Sequence, residues 1–102
     1  MAVVFVTIAP LGTQTTSLSS YVAGVERILR KAKLPHQLTA MGTIIEGDLD
    51  KVLKVIRVMH EAPFAQGAAR VSTLIKIDDR RDKAHSMAGK VRAVRKKLRT
   101  TG

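Results

Sequence analysis

Cysteine is absent from this 102-residue chain, which excludes a disulfide framework, a thiolate metal site and a cysteine nucleophile. Aromatic residues are scarce: Phe5, Tyr21 and Phe64 are the whole set, too few for the stacking platform on which single-strand nucleic-acid binders rely. The apolar run from Ala2 to Ala9 is too short for a membrane helix and has no basic leader, so the chain reads as soluble, untargeted and cytoplasmic. Glycines are scattered singly, which leaves no phosphate-cradling loop. His36, His60 and His85 lie far apart and in no ligand spacing, so no metal is expected, and His60-Glu61 reads as a helix-terminus pair. Ser17, Ser19 and Ser20 have no partner base to make a hydrolytic triad. Nothing in these residues points to an enzyme or to a required cofactor.

Positive charge is what the chain has in excess. The formal net charge is +10, and nine of the eighteen Lys and Arg lie between Arg80 and Arg99. Up to Asp79 the chain is nearly balanced, with nine basic residues against seven acidic. The basic segment is therefore local, and it admits three readings: a solvated helix face, contact with nucleic acid or an acidic partner, or a membrane-surface role.

The hydrophobic pattern sets out the elements in order. Ala2 to Ala9 is apolar at both alternating sets of positions and reads as a strand buried on two sides. Pro10 to Thr16 is a turn and polar loop, with Thr16 or Ser17 placed to cap a helix that carries Leu18, Val22, Val25, Leu29 and Ala32 and runs to about Lys33. Leu34-Pro35 stops it. A hairpin follows, His36 to Ala40 and Gly42 to Glu46, bent at Met41-Gly42. Asp48 starts a second helix with Leu49, Val52, Leu53, Ile56 and Met59 as its stripe, closed by Pro63 and Gly67. Val71 to Ile77 alternates as a strand. Lys83 to Leu98 is a third helix whose Met87, Val91, Val94 and Leu98 recur at helical spacing and are expected to bury against the body.

The order β-α-β-β-α-β plus a terminal helix predicts an α+β domain, the ferredoxin-like sandwich of one four-stranded sheet with two helices on one face. That arrangement leaves the other sheet face bare, yet the first strand is apolar there too. An exposed sheet carrying Val, Phe and Ile is an aggregation hazard, so a second subunit, the third helix, or both must cover it, and an oligomer is expected.

The stretch Met41-Gly42-Thr43-Ile44-Ile45-Glu46-Gly47 draws the functional reading. Gly42 permits a bend or a close backbone approach, the two isoleucines favour a strand, and Gly47 ends it. Thr43 and Glu46 bring a hydroxyl and a carboxylate that point to opposite faces unless the strand bulges. By residue type alone, Glu46 is equally a solvated strand end.

Pro10-Leu11-Gly12-Thr13, Ser20-Tyr21, Met41-Gly42-Thr43 with Glu46-Gly47, His60-Glu61, Arg70-Val71 and Ile75-Lys76-Ile77-Asp78-Asp79-Arg80 together, in this order and spacing, resemble the small thiamine-binding protein family. The resemblance extends to Lys90-Val91. It implies a ferredoxin-like fold, a homotetramer of paired dimers, and non-catalytic binding of thiamine (vitamin B1) or its hydroxymethylpyrimidine half in thiamine supply or salvage. It further implies ligand-binding roles for Thr7, Ser20, Met41, Gly42, Thr43, Glu46 and Asp78. Hydroxyls, backbone groups and a carboxylate suit the donors and acceptors of an aminopyrimidine, and Glu46 and Asp78 suit a cationic thiazolium. The chain departs from the family pattern in its strongly basic last helix. The alternative reading is a basic oligomeric adaptor that binds nucleic acid through that helix, and a third is a structural oligomer without a ligand.

Overall fold

The computed structural model describes residues 1–12, 19–82 and 87–101. The proposed caps Thr16 and Ser17, together with Leu18 and His85, lie outside them. The elements are β1 (Ala2–Leu11), α1 (Ser19–Ala32), β2 (His36–Leu38), β3 (Thr43–Gly47), α2 (Leu49–Ala65), β4 (Arg70–Asp79) and α3 (Met87–Thr101). The strands form one sheet in the order β2-β3-β1-β4, every neighbour antiparallel. This is the ferredoxin-like arrangement with an added helix.

Alternation along the strands decides which residues meet the helices. Ala2, Val4 and Val6 of β1 and Ile45 of β3 are buried together with Val25 and Leu29 of α1 and Val52, Ile56 and Met59 of α2. Each fully covered aliphatic side chain contributes roughly 1.5–3 kcal/mol. The intervening residues Val3, Phe5 and Thr7, with Ile44 and Glu46, lie on the open face and are half-buried. β1 is thus apolar on both sides, and no helix of the body covers the second.

Local signals account for the helix ends. The side chain of Asp48, the N-cap of α2, accepts the N–H of Lys51 at 3.4 Å. α1 ends with Lys33 at a φ of 59°, its N–H reaching the carbonyls of Leu29 and Arg30, a left-handed cap on a residue with a Cβ.

Several boundaries and contacts differ from expectation. α2 runs on past Pro63 to Ala65, because a proline this close to the end removes little of the hydrogen-bond ladder while its buried ring fills space in the core. β1 runs through Pro10 to Leu11, and β2 stops at Leu38. Leu53 faces outward beside β4 instead of joining the core.

The largest correction concerns α3. Val91, Val94 and Leu98 are 48%, 58% and 65% exposed, so their stripe is not buried against the body. The helix contains no carboxylate and meets β4 through the Lys90–Asp78 ion pair, and the radius of gyration of the whole chain, 15.7 Å, exceeds the roughly 13 Å of a compact chain of this length.

Candidate functional site

The site arises from a mismatch in strand length. β1 pairs with β3 only from Ala2↔Gly47 to Val6↔Thr43, but it pairs with β4 as far as Leu11↔Arg70. Along Thr7 to Leu11, β1 therefore has a strand on one side only, and alternate residues turn their backbone N–H and C=O toward the missing neighbour. Pro10, which has no N–H to give, is tolerated in this half-paired stretch.

A cavity of about 360 Å³ occupies that gap, within the size range of small-molecule sites. Val6, Val25, Met59 and Pro63 give it an apolar floor, Tyr21 and Val22 come from the first turns of α1, and Leu38 to Thr43 form the opposite wall. Thr7, Tyr21, Thr39 and Thr43 are its hydroxyl-bearing residues, and no carboxylate or basic side chain is found among its described lining residues. Such a surface suits a flat, neutral ring with a few donors and acceptors at its edge.

The wall is a turn organised by Thr39. Its hydroxyl donates to the Gly42 carbonyl at 2.8 Å and accepts the N–H groups of Met41 and Gly42, each at 3.2 Å. The Thr39 N–H also reaches the Gly42 carbonyl at 2.8 Å. Gly42 is required for space: a Cβ there would lie 2.7 Å from Phe5 Cζ and 2.8 Å from Thr7 Cγ2. Met41, at the rim, is 80% exposed. Replacing Thr39 by valine removes all three hydroxyl bonds while keeping the shape. A loss of about 1–3 kcal/mol in urea unfolding is expected, together with weaker ligand binding because Met41 and Gly42 lose their support.

Of the residues singled out in the sequence, Thr7, Met41, Gly42 and Thr43 meet at this cavity. Ser20 is exposed on the first turn of α1, next to Tyr21 but outside the lining. Glu46 and Asp78 come together elsewhere, as the cross-strand neighbours of Val3 on its two sides. That row lies on the open face, roughly 13 Å along β1 from Thr7. Asp78 accepts from Lys90 Nζ at 2.6 Å. Thr43 is buried toward the helices while Glu46 points to the open face, the opposed orientation expected of an unbulged strand.

Sequence reasoning missed Tyr21 and Thr39 as site residues. Tyr21, a lone aromatic alcohol at a helix start, was the available signal. The charge run after β4 is largely self-paired: Arg81 bonds Asp79 at 2.8 Å and Arg80 bonds Asp82 at 2.6 Å, and each hydrogen bond holds its guanidinium pKa above the usual value.

The fold is an α+β sandwich with a small hydroxyl-lined cavity beside the β2–β3 turn. The sequence profile of the thiamine-binding protein family matches residues 4–95, and the chain belongs to that family. It is 49% identical to the UPF0045 protein YqgV of Bacillus subtilis over 96% of this chain and 98% of that one, and 43% identical to a UPF0045 protein of Methanothermobacter thermautotrophicus over 90% and 94%. Among solved structures, a hypothetical protein from Methanocaldococcus jannaschii superposes with a TM-score of 0.82 at 36% identity, covering 91% of this chain and 94% of that chain. A putative thiamine biosynthesis/salvage protein from Thermotoga maritima gives 0.75 at 14% identity over 91% and 97%, a likeness of fold. Among the described residues no helix is long and apolar enough to cross a membrane.

Proposed function

We propose that this chain binds thiamine or its hydroxymethylpyrimidine half without transforming it, as a carrier or reservoir in thiamine supply or salvage, in the cytoplasm and as a homotetramer. Family membership supports the ligand class, and the observation that carries the reading is the cavity: apolar below, with hydroxyls and half-paired β1 backbone at its edges. The aminopyrimidine ring is the part it suits, because it is neutral and the described lining carries no charge to pair with a cation. The thiazolium of thiamine would then point out past Met41 toward solvent. The open face of the sheet supports self-association, since Val3, Phe5 and Ile44 are only half-buried there and Leu74 is 60% exposed.

Isothermal titration with thiamine and with hydroxymethylpyrimidine tests the reading: saturable binding of either supports it, and no heat with either ligand at millimolar concentration contradicts it. The variant Glu46→Gln divides the site. Were Glu46 to hold the ring, losing a charge-assisted hydrogen bond would cost about 1.5–3 kcal/mol, or roughly ten- to a hundredfold in affinity. With Glu46 on the other face, the expected change for the neutral pyrimidine is less than about threefold, well under 1 kcal/mol.

A further inference from the structure

The two sides of the cavity belong to separate elements. Tyr21 and Val22 come from α1, and Leu38 to Thr43 come from the end of β2 and the turn after it. β2 has three residues and lies at the sheet edge with β3 as its strand neighbour, and so short an edge opens readily unless something else holds it.

A side-chain pair joins it to α1. His36 Nε2 lies 3.1 Å from Glu26 Oε2, and His36 Nδ1 lies 2.8 Å from the Leu34 carbonyl. Glu26 is one turn on from Val22 along the same face of α1, and His36 opens the strand that ends at Leu38. Val22 and Leu38 line the cavity and also the shallow depression beside Glu26, so the pair stands directly behind the cavity wall. We infer that Glu26 and His36 are the positioning pair of the binding site, a clasp that sets the separation of its two walls and closes when the pair holds a proton.

The proton follows from counting donors. A backbone carbonyl and a carboxylate both accept, and a neutral imidazole has one N–H for the two of them. Both contacts are hydrogen bonds when the ring is imidazolium, or when Glu26 is the acid and donates to Nε2. Without that proton one of the two contacts sets lone pair against lone pair. Glu26 is poorly placed to bear the loss: its side chain is 16% exposed, and its Oε1 is buried with no hydrogen-bond partner among the described residues. A carboxylate left so placed without a donor is costly. Arg27 and Arg30 line the depression beside Glu26 and favour the form with the proton on the ring. Across the strand from His36 is the uncharged, buried Ile45, while Glu46 points to the other face of the sheet and Lys33 is exposed. Imidazoles exchange their second proton between about pH 5 and 8. The clasp is therefore closed at the lower end of that window and lost as pH rises, and ligand affinity falls with it, because apparent affinity scales with the closed fraction.

The inference rests on the cavity reading above, and the experiment separates the two. Thiamine and hydroxymethylpyrimidine are titrated at about pH 6 and about pH 8 into the parent, Glu26→Gln and Glu26→Ala. The parent is expected to bind about fivefold more weakly, or worse, at the higher pH. Glu26→Gln donates an amide N–H to Nε2 of the neutral ring while Nδ1–H keeps the Leu34 carbonyl, so it needs no extra proton and is expected to bind nearly equally at both. Glu26→Ala has no clasp and is expected to bind weakly at both. Titration of the ligand itself is common to the three proteins and cancels in the comparison. A Glu26→Gln profile that falls as the parent's does overturns the inference, as does Glu26→Ala affinity equal to the parent's at the lower pH, and either leaves the cavity reading standing. Absence of binding to all three proteins overturns the cavity reading and the positioning role together.

A readout without ligand tests the clasp itself. Ring-nitrogen NMR spectra of Glu26→Gln at about pH 8 are expected to show the neutral His36 ring with its hydrogen on Nδ1. A hydrogen on Nε2 overturns the clasp whatever the titrations show.

Discussion

A Val22→Trp variant should bind thiamine and hydroxymethylpyrimidine at least about tenfold more weakly than the parent, a change of about 1.4 kcal/mol or more, while melting within a few degrees of it. Val22 lines the cavity yet is 39% exposed, so a larger side chain can grow into the opening without overpacking the core. The indole takes up much of the space left for a ring and covers the half-paired edge of β1. Calorimetry and thermal unfolding on one preparation check both halves. Unchanged affinity would mean that the ligand is held somewhere else.

The second large effect falls on the fold itself. Leu29 of α1 is fully buried among β1, β3 and α2 residues, and it anchors the helix whose first turns supply Tyr21 and Val22. Leu29→Ala removes its burial and leaves a cavity, for an expected loss of about 2–5 kcal/mol. That is a large share of the 5–15 kcal/mol typical of a small domain. Urea unfolding should show the midpoint drop. Ligand affinity, measured well below the new melting point, should fall less steeply than for Val22→Trp, because Leu29 does not line the cavity.

How much of this was legible in the sequence differs by element. The alternation of Val71, Thr73, Ile75 and Ile77 against Ser72, Leu74 and Lys76 read directly as β4, and the periodicity of Val52, Ile56 and Met59 read as α2. Asp48 as the cap of α2 and Gly42 as a point of close approach were also readable, since each rests on a local property. The cavity was half legible. Met41, Gly42 and Thr43 were picked out, but Thr39 was not, because its role depends on a hydroxyl meeting three backbone groups of one turn, which residue type does not reveal. The gap itself comes from β3 stopping at Thr43 while β1 goes on to Leu11, a relation between strands distant in sequence. Glu46 and Asp78 were read as strand-end carboxylates suited to a cationic thiazolium; their shared place on either side of Val3 comes from strand register, which residue type does not reveal.

The stripe on α3 was misjudged for a general reason. Periodic apolar residues show an amphipathic helix, and they do not say whether its apolar face is covered by the body of the same chain; here Val91, Val94 and Leu98 are 48%, 58% and 65% exposed.

Amide chemical shifts of isotope-labelled protein, followed while hydroxymethylpyrimidine is added, locate the ligand most directly. Saturable changes are expected at Thr7 to Ala9, Tyr21 and Thr39 to Thr43, where β1 runs past β3 and the Thr39 turn closes over the cavity, with Val3, Glu46 and Asp78 left nearly still. Changes centred on Val3, Glu46 and Asp78, with the cavity residues unmoved, would contradict it.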